Sequence, residues 1–151
     1  MDPRQLAEEL TAARSEFLAR LEDAIASRGL GAVVVGEWGP RELVAHLGYW
    51  VGHAADAIHA VEEGRAGEFE VGDGEVDARN ETVARVARST DLPTVRRREE
   101  DSYLALRERL AALDPALLET PVARWGSLRD GIREDGSVHY REHAANLGAG
   151  G

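Results

Sequence analysis

Leu6, Leu10, Ala13, Phe17, Leu21 and Ile25 recur at steps of three and four, with charged residues between them. Only a helix turns such spacing into a single apolar face, because its side chains return to one side every ~3.6 residues. Gly29 and Gly31 end the pattern, so a first helix is expected over residues 3–29. The same period returns at Leu43, Leu47, Trp50, Ala54, Ala57 and Val61, where Pro40 suits a first turn and Gly64 a stop, giving a second helix over 40–63. Val95, Tyr103, Leu106, Leu110 and Leu113 mark a third long stripe, over 93–113. Leu128, Ile132, Asp135, His139, His143 and Leu147 mark a fourth, opened by a capping Ser127 and weakened or kinked at Gly131 and Gly136.

The segments between these stripes read differently. DARNETVARVARS (77–89) is expected to form a short helix, and 65–76 and 114–126 are glycine-, acid- or proline-marked loops, the first long enough to cover a site. The VVV run at 33–35 has no partner strand in view. The pattern predicts an all-α fold: a four-helix bundle with one extra short helix, in a single domain over 1–151 with 148–151 frayed.

Charge and composition narrow the function classes. Eighteen basic side chains face 28 acidic ones, a formal charge of -10, so a nucleic-acid backbone would be repelled. No cysteine is present to supply a disulfide, a thiolate ligand or a nucleophile. The N-terminus, MDPRQLAEEL, is polar and acidic, and no apolar run approaches the ~18 residues of a membrane span, so a cytoplasmic protein without membrane attachment is expected. Arg96, Arg97 and Arg98 read as an exposed face balanced by Glu99, Glu100 and Asp101. The three tryptophans, Trp38, Trp50 and Trp125, read first as packing residues, with Trp38 at the entry of the second helix.

All five histidines fall on the second and last helices. At about 100° per residue, His46 and His53 lie about 60° and 80° from Leu43, both at the margin of the apolar stripe, whereas His59 falls on the solvated face. His139 and His143 are one turn apart and about 40° around, over one groove, in the stripe that faces the core. Two unpaired imidazoles are costly to bury, and a metal satisfies both. A third ligand is expected from a facing helix, with His46 the best placed and His53 an alternative ligand or an orienting base. Three imidazoles leave a coordination position open, as catalytic sites do, and suit zinc, nickel, iron or copper over magnesium or calcium. The stretch HYREH (139–143) also fits the H-x-x-E-H pattern of inverted zinc peptidases, but only eight residues follow His143, too few for the downstream carboxylate those enzymes use.

Three segments together, GEWGPRELVAHLGYW (36–50), DARNETVARVARSTDLPTVRRREEDSYLALRERLAAL (77–113) and GIREDGSVHYREHAANL (131–147), resemble the DinB-like family of metal-binding four-helix bundles. The resemblance spans nearly the whole chain. It implies a metal triad of His46, His139 and His143, holding one divalent transition metal, zinc or nickel before others. The family includes transferases of low-molecular-weight thiols such as mycothiol and bacillithiol, a mycothiol-dependent maleylpyruvate isomerase, and resistance hydrolases. The chain is expected to depart from the isomerase, which resembles the bundle plus a C-terminal domain, in ending after the last helix and in closing its site with two histidines instead of a carboxylate and a histidine. Members often pair as homodimers, so a homodimer is compatible with the resemblance.

Two readings of function follow. In the first the chain is a metal-dependent enzyme on a small-molecule substrate, moving a thiol to an electrophile, with His53, Glu142 and Tyr140 as candidates for proton transfer or ligand orientation. In the second it is a non-catalytic metal-binding or stress-response bundle; a resistance hydrolase is a further variant of the first.

Overall fold

Asp2 opens the first helix by a reciprocal cap: its carboxylate accepts from the Gln5 backbone N–H at 2.8 Å, and the Gln5 side chain accepts from the Asp2 N–H at 2.9 Å. Pro3 then occupies the first turn, where its missing N–H costs nothing. The helix, α1 (Pro3–Arg28), ends where Gly29 takes φ 83°, a conformation that side chains resist.

A computed structural model describes residues 1–69 and 72–149, and its regular elements there are all helical. After α1 come α2 (Pro40–Glu62), α3 (Asp73–Arg88), α4 (Leu92–Ala112), α5 (Leu128–Asp135) and α6 (Ser137–Ala149). Short 3₁₀ turns lie at Ala66–Glu68, Pro115–Glu119 and Ala123–Trp125. The valine run at 33–35 contributes one isolated bridge, from Val35 to Trp38.

Three boundaries differ from the periodicity reading. α3 begins at Asp73, four residues before the expected 77, so the preceding loop is shorter than 65–76. The last stripe is not one helix: Gly136, at φ -104° and ψ -103°, separates α5 from α6. A Cβ at Gly136 would meet the Ile132 carbonyl oxygen at 2.6 Å, so no other residue fits this backbone without a shift. The frayed end expected at 148–151 is helical through Ala149, and residues 150 and 151 lie outside the described residues.

One core joins five of the helices. Leu6, Leu10, Phe17 and Leu21 of α1 meet Leu43, Leu47 and Ile58 of α2, Leu106 and Leu110 of α4, Leu128 and Ile132 of α5, and Tyr140 and Leu147 of α6. Burying each such Leu, Ile or Phe contributes roughly 1.5–3 kcal/mol relative to leaving it in water. α2 packs chiefly on α4 and α1 chiefly on α6, while α3 leans on α2 from outside this core. No helix among the described residues is long and apolar enough to cross a membrane.

The arginine run in α4 is not the plain solvated face its composition suggested. Arg96 reaches Glu22 of α1 at 2.7 Å. Glu99 is only 2% exposed and is held from two sides. Arg14 of α1 donates to it through Nη2 at 2.7 Å and Nε at 2.9 Å, and the Tyr140 hydroxyl of α6 donates at 2.6 Å. Arg14 also stacks over the Tyr103 ring at 4.2 Å, and Tyr103 shares a 2.9 Å hydrogen bond with Thr11. Gly48 makes room for this cluster, since a Cβ there would stand 3.0 Å from Glu99 Cα.

Candidate metal centre

The entry to α2 determines where His46 lies. The Glu42 carboxylate accepts from the Gly39 N–H at 3.0 Å, and just before it Val34 N–H donates to Trp38 O and Trp38 N–H to Val35 O, both at 2.8 Å. This turn brings the Trp38 ring within 4.7 Å of the His46 ring, centroid to centroid. His46 then projects from the second turn of α2 toward α6 and is buried.

On α6, His139 and His143 occupy successive turns and meet it. Nε2 of His46 and Nε2 of His139 are 2.8 Å apart. Ring centroids are 4.6 Å apart for His46 and His139, 5.1 Å for His46 and His143, and 4.8 Å for His139 and His143. One ligand nitrogen from each of the three lies within 4.8 Å of the others, the only such cluster of potential metal ligands among the described residues. The three imidazoles that the helical wheel selected therefore do converge.

Their protonation suits a cation. Burial, reinforced by the neighbouring His143, pushes His46 down to about 3. Burial with the other two imidazoles pushes His139 down to about 2, and burial lowers His143 as well. All three rings are thus neutral near pH 7, the state a metal requires. Nδ1 of His143 donates to Asn146 Oδ1 at 2.9 Å, so its lone pair is on Nε2. Without an ion, the 2.8 Å contact requires one of His46 and His139 to carry its hydrogen on Nε2, and the buried Nδ1 atoms of both rings have no well-formed hydrogen bond. The Asn80 side chain beside His46 and the Asp135 backbone beside His139 favour the charged forms of these rings, against burial. A donor set of three neutral nitrogens fits a borderline transition metal such as zinc or nickel.

A cavity of about 280 Å³ opens beside His46 and His139. His53, two turns along α2 from His46, forms part of its wall, and its Nδ1 shares a 2.9 Å hydrogen bond with Asp135 Oδ2. Both are almost fully buried. Burial raises the Asp135 carboxyl, and the hydrogen bond and charge of His53 offset part of that rise. Glu134, also on the wall, is raised by burial and by the adjacent Asp135 carboxylate. Around His53 stand Phe69 at 4.4 Å, Trp50 at 5.0 Å and Trp125 at 5.6 Å between ring centroids.

The remaining sequence candidates separate. Glu142 is exposed and lines the cavity. Tyr140 does not: it is fully buried, its ring is 5.7 Å from Phe17, and its hydroxyl is committed to Glu99, whose carboxylate raises its pKa after burial. His59 lies on the surface, paired with Glu63 at 2.8 Å. Sequence reasoning did not assign site roles to Asp135, Phe69 and Trp125. Asp135 carried a signal, an acid in an apolar stripe one turn before His139, which calls for a buried partner. Phe69, the only aromatic of the 65–76 loop, was the other.

Comparison of this chain with known protein families, with curated proteins and with solved structures finds no match.

Proposed function

We propose that this chain is a metal-dependent four-helix-bundle enzyme of the DinB-like type that transfers a low-molecular-weight thiol, such as mycothiol, to a small electrophile. The observation that carries it is the meeting of His46, His139 and His143 from two helices at the wall of a cavity that also holds a His–Asp pair. The shared core of α1, α2, α4, α5 and α6, with α3 outside it, supports the bundle reading. His46, His139 and His143 would hold a divalent zinc or nickel ion, whose chemistry there would be Lewis acidity toward a thiol or water.

The chain's own residues do the rest. Asp135 Oδ2 fixes a hydrogen on His53 Nδ1, which leaves Nε2 as the ring nitrogen that takes a proton from the incoming nucleophile. Trp38 covers His46 from the loop side and holds its ring in place.

A second reading, a non-catalytic bundle, is favoured by one observation: the direct Nε2 contact between His46 and His139 ties α2 to α6 without an ion. Elemental analysis of protein purified without a metal-affinity tag tests the metal centre, and thiol conjugation separates the two readings. The enzyme reading expects about one transition metal per chain, lost in His143→Ala. It also expects metal-dependent conjugation of monochlorobimane to mycothiol, bacillithiol or glutathione, lost in the same variant. A metal-free protein, or one that conjugates none of the three thiols above background, overturns it; turnover of an electrophile by water alone moves the reading to a hydrolase.

A further inference from the structure

Four rings from three segments converge on the cavity beside the histidines. His53 and Trp50 come from α2, Phe69 from the turn before α3, and Trp125 from the turn before α5. Phe69 tilts 38° to His53 at 4.4 Å, while Trp50 and Trp125 present edges to it at 69° and 86°. Phe69 and Trp125 are themselves 6.5 Å apart at 50°. Both are only half-buried although they border the core, so part of each ring is left to face the cavity. Trp50 has its polar atom satisfied inside the protein, donating from Nε1 to Asn80 Oδ1 at 2.7 Å, so what it offers the cavity is ring surface.

Trp125 is seated by a glycine. Gly131 lies inside α5, where glycine costs about 1 kcal/mol relative to alanine. A Cβ at that position would stand 1.8 Å from the Trp125 ring. The indole therefore lies directly on the α5 backbone, and any side chain at 131 would lift it away from its place in the cavity wall.

We propose that the cavity binds a small flat aromatic ring, stacked among Trp50, Phe69 and Trp125 with its reacting edge toward His53 and the three-histidine cluster. The ring surface that Trp50, Phe69 and Trp125 leave to the cavity offers the offset and edge-on contacts that aromatic rings prefer, and a saturated ring of the same size forfeits them. Calling this ring the body of the electrophile rests on the enzymatic reading above; its binding does not. A second apolar pocket, between α2, α3 and α4 and bordered by Val83, Val86 and Val95, is the competing place for a greasy ligand.

The test titrates the full-length protein with 2-phenylethanol and with 2-cyclohexylethanol, read by tryptophan fluorescence. The aromatic alcohol binds about fivefold tighter, although the saturated one is the more hydrophobic. Trp125→Leu, which keeps apolar bulk without a ring, and Gly131→Ala, which displaces the indole, both abolish that preference. Val83→Gln, in the competing pocket, leaves it intact. Equal or tighter binding of the saturated alcohol overturns the proposal, as does binding lost in Val83→Gln and kept in Trp125→Leu. Should Gly131→Ala fail to fold, Trp125→Leu decides alone. Repeating the titration after chelation keeps the two readings apart: ring preference that survives without any metal or thiol transfer sinks only the enzymatic reading, and conjugation without ring preference sinks only this one.

Discussion

Glu99 stands in a stretch whose composition, RRREED, reads as solvent-facing, yet it is the most buried charge of α4. A carboxylate at that depth is tolerated only while both Arg14 and Tyr140 bond to it. Arg14→Met is expected to lower stability by roughly 3–5 kcal/mol, measured by urea unfolding, because it strands the charge. Adding Glu99→Leu to that variant restores most of the loss, since no charge is then left to desolvate. The histidine cluster was legible in the sequence because its members sit on regular stripes, two of them one turn apart. Glu99 was not, because its partners lie 85 and 41 positions away and only the folded chain brings them together. Asp135 is intermediate: its place on the stripe was visible, its 82-residue reach to His53 was not.

Helix α5 and helix α6 divide what periodicity presents as one stripe, and the division is backbone-encoded at Gly136. Gly136→Ala is expected to destabilise by roughly 1–3 kcal/mol, since its Cβ meets a carbonyl it cannot displace cheaply. The check is a lowered Tm with an unchanged helical circular dichroism signal in the folded state. Helix starts and stops were otherwise readable where proline, glycine or a capping serine marked them: Pro40, Gly29 and Ser127 all stand at ends of helices as expected. The start of α3 was missed because it opens in a glycine- and acid-rich segment with no side-chain cap to announce it. The break at Gly136 is legible as a weakness or a kink but not as a boundary, because a glycine inside an apolar period is compatible with each.

Which helix lies against which is a property of the whole molecule, and little of it could be read from stripes alone. The one pairing inferred, the second helix against the last, rested on histidines and holds in the structure. The contact of α1 with α5 and α6 had no such marker, and Glu9 ties the three helices together beside their core. Burial works to raise that carboxyl, but hydrogen bonds from Arg133 and Ser137 and the charge of Arg141 outweigh it, so its pKa falls below the usual 4.5. A depressed carboxyl stabilises the fold fully above the unfolded value and loses that contribution as pH falls through the folded one. Unfolding free energies measured across acidic pH should therefore drop below about pH 4.5, and Glu9→Gln should flatten that drop while costing about 1–2 kcal/mol at neutral pH. The Glu99 cluster also bears on how the chain is made. Its carboxylate emerges from the ribosome well before Tyr140, so during synthesis α4 carries a charge whose burial cannot be completed until most of α6 has followed. Helices made early must wait for the last one, and folding of this core is expected to finish only after residue 140 has left the exit tunnel.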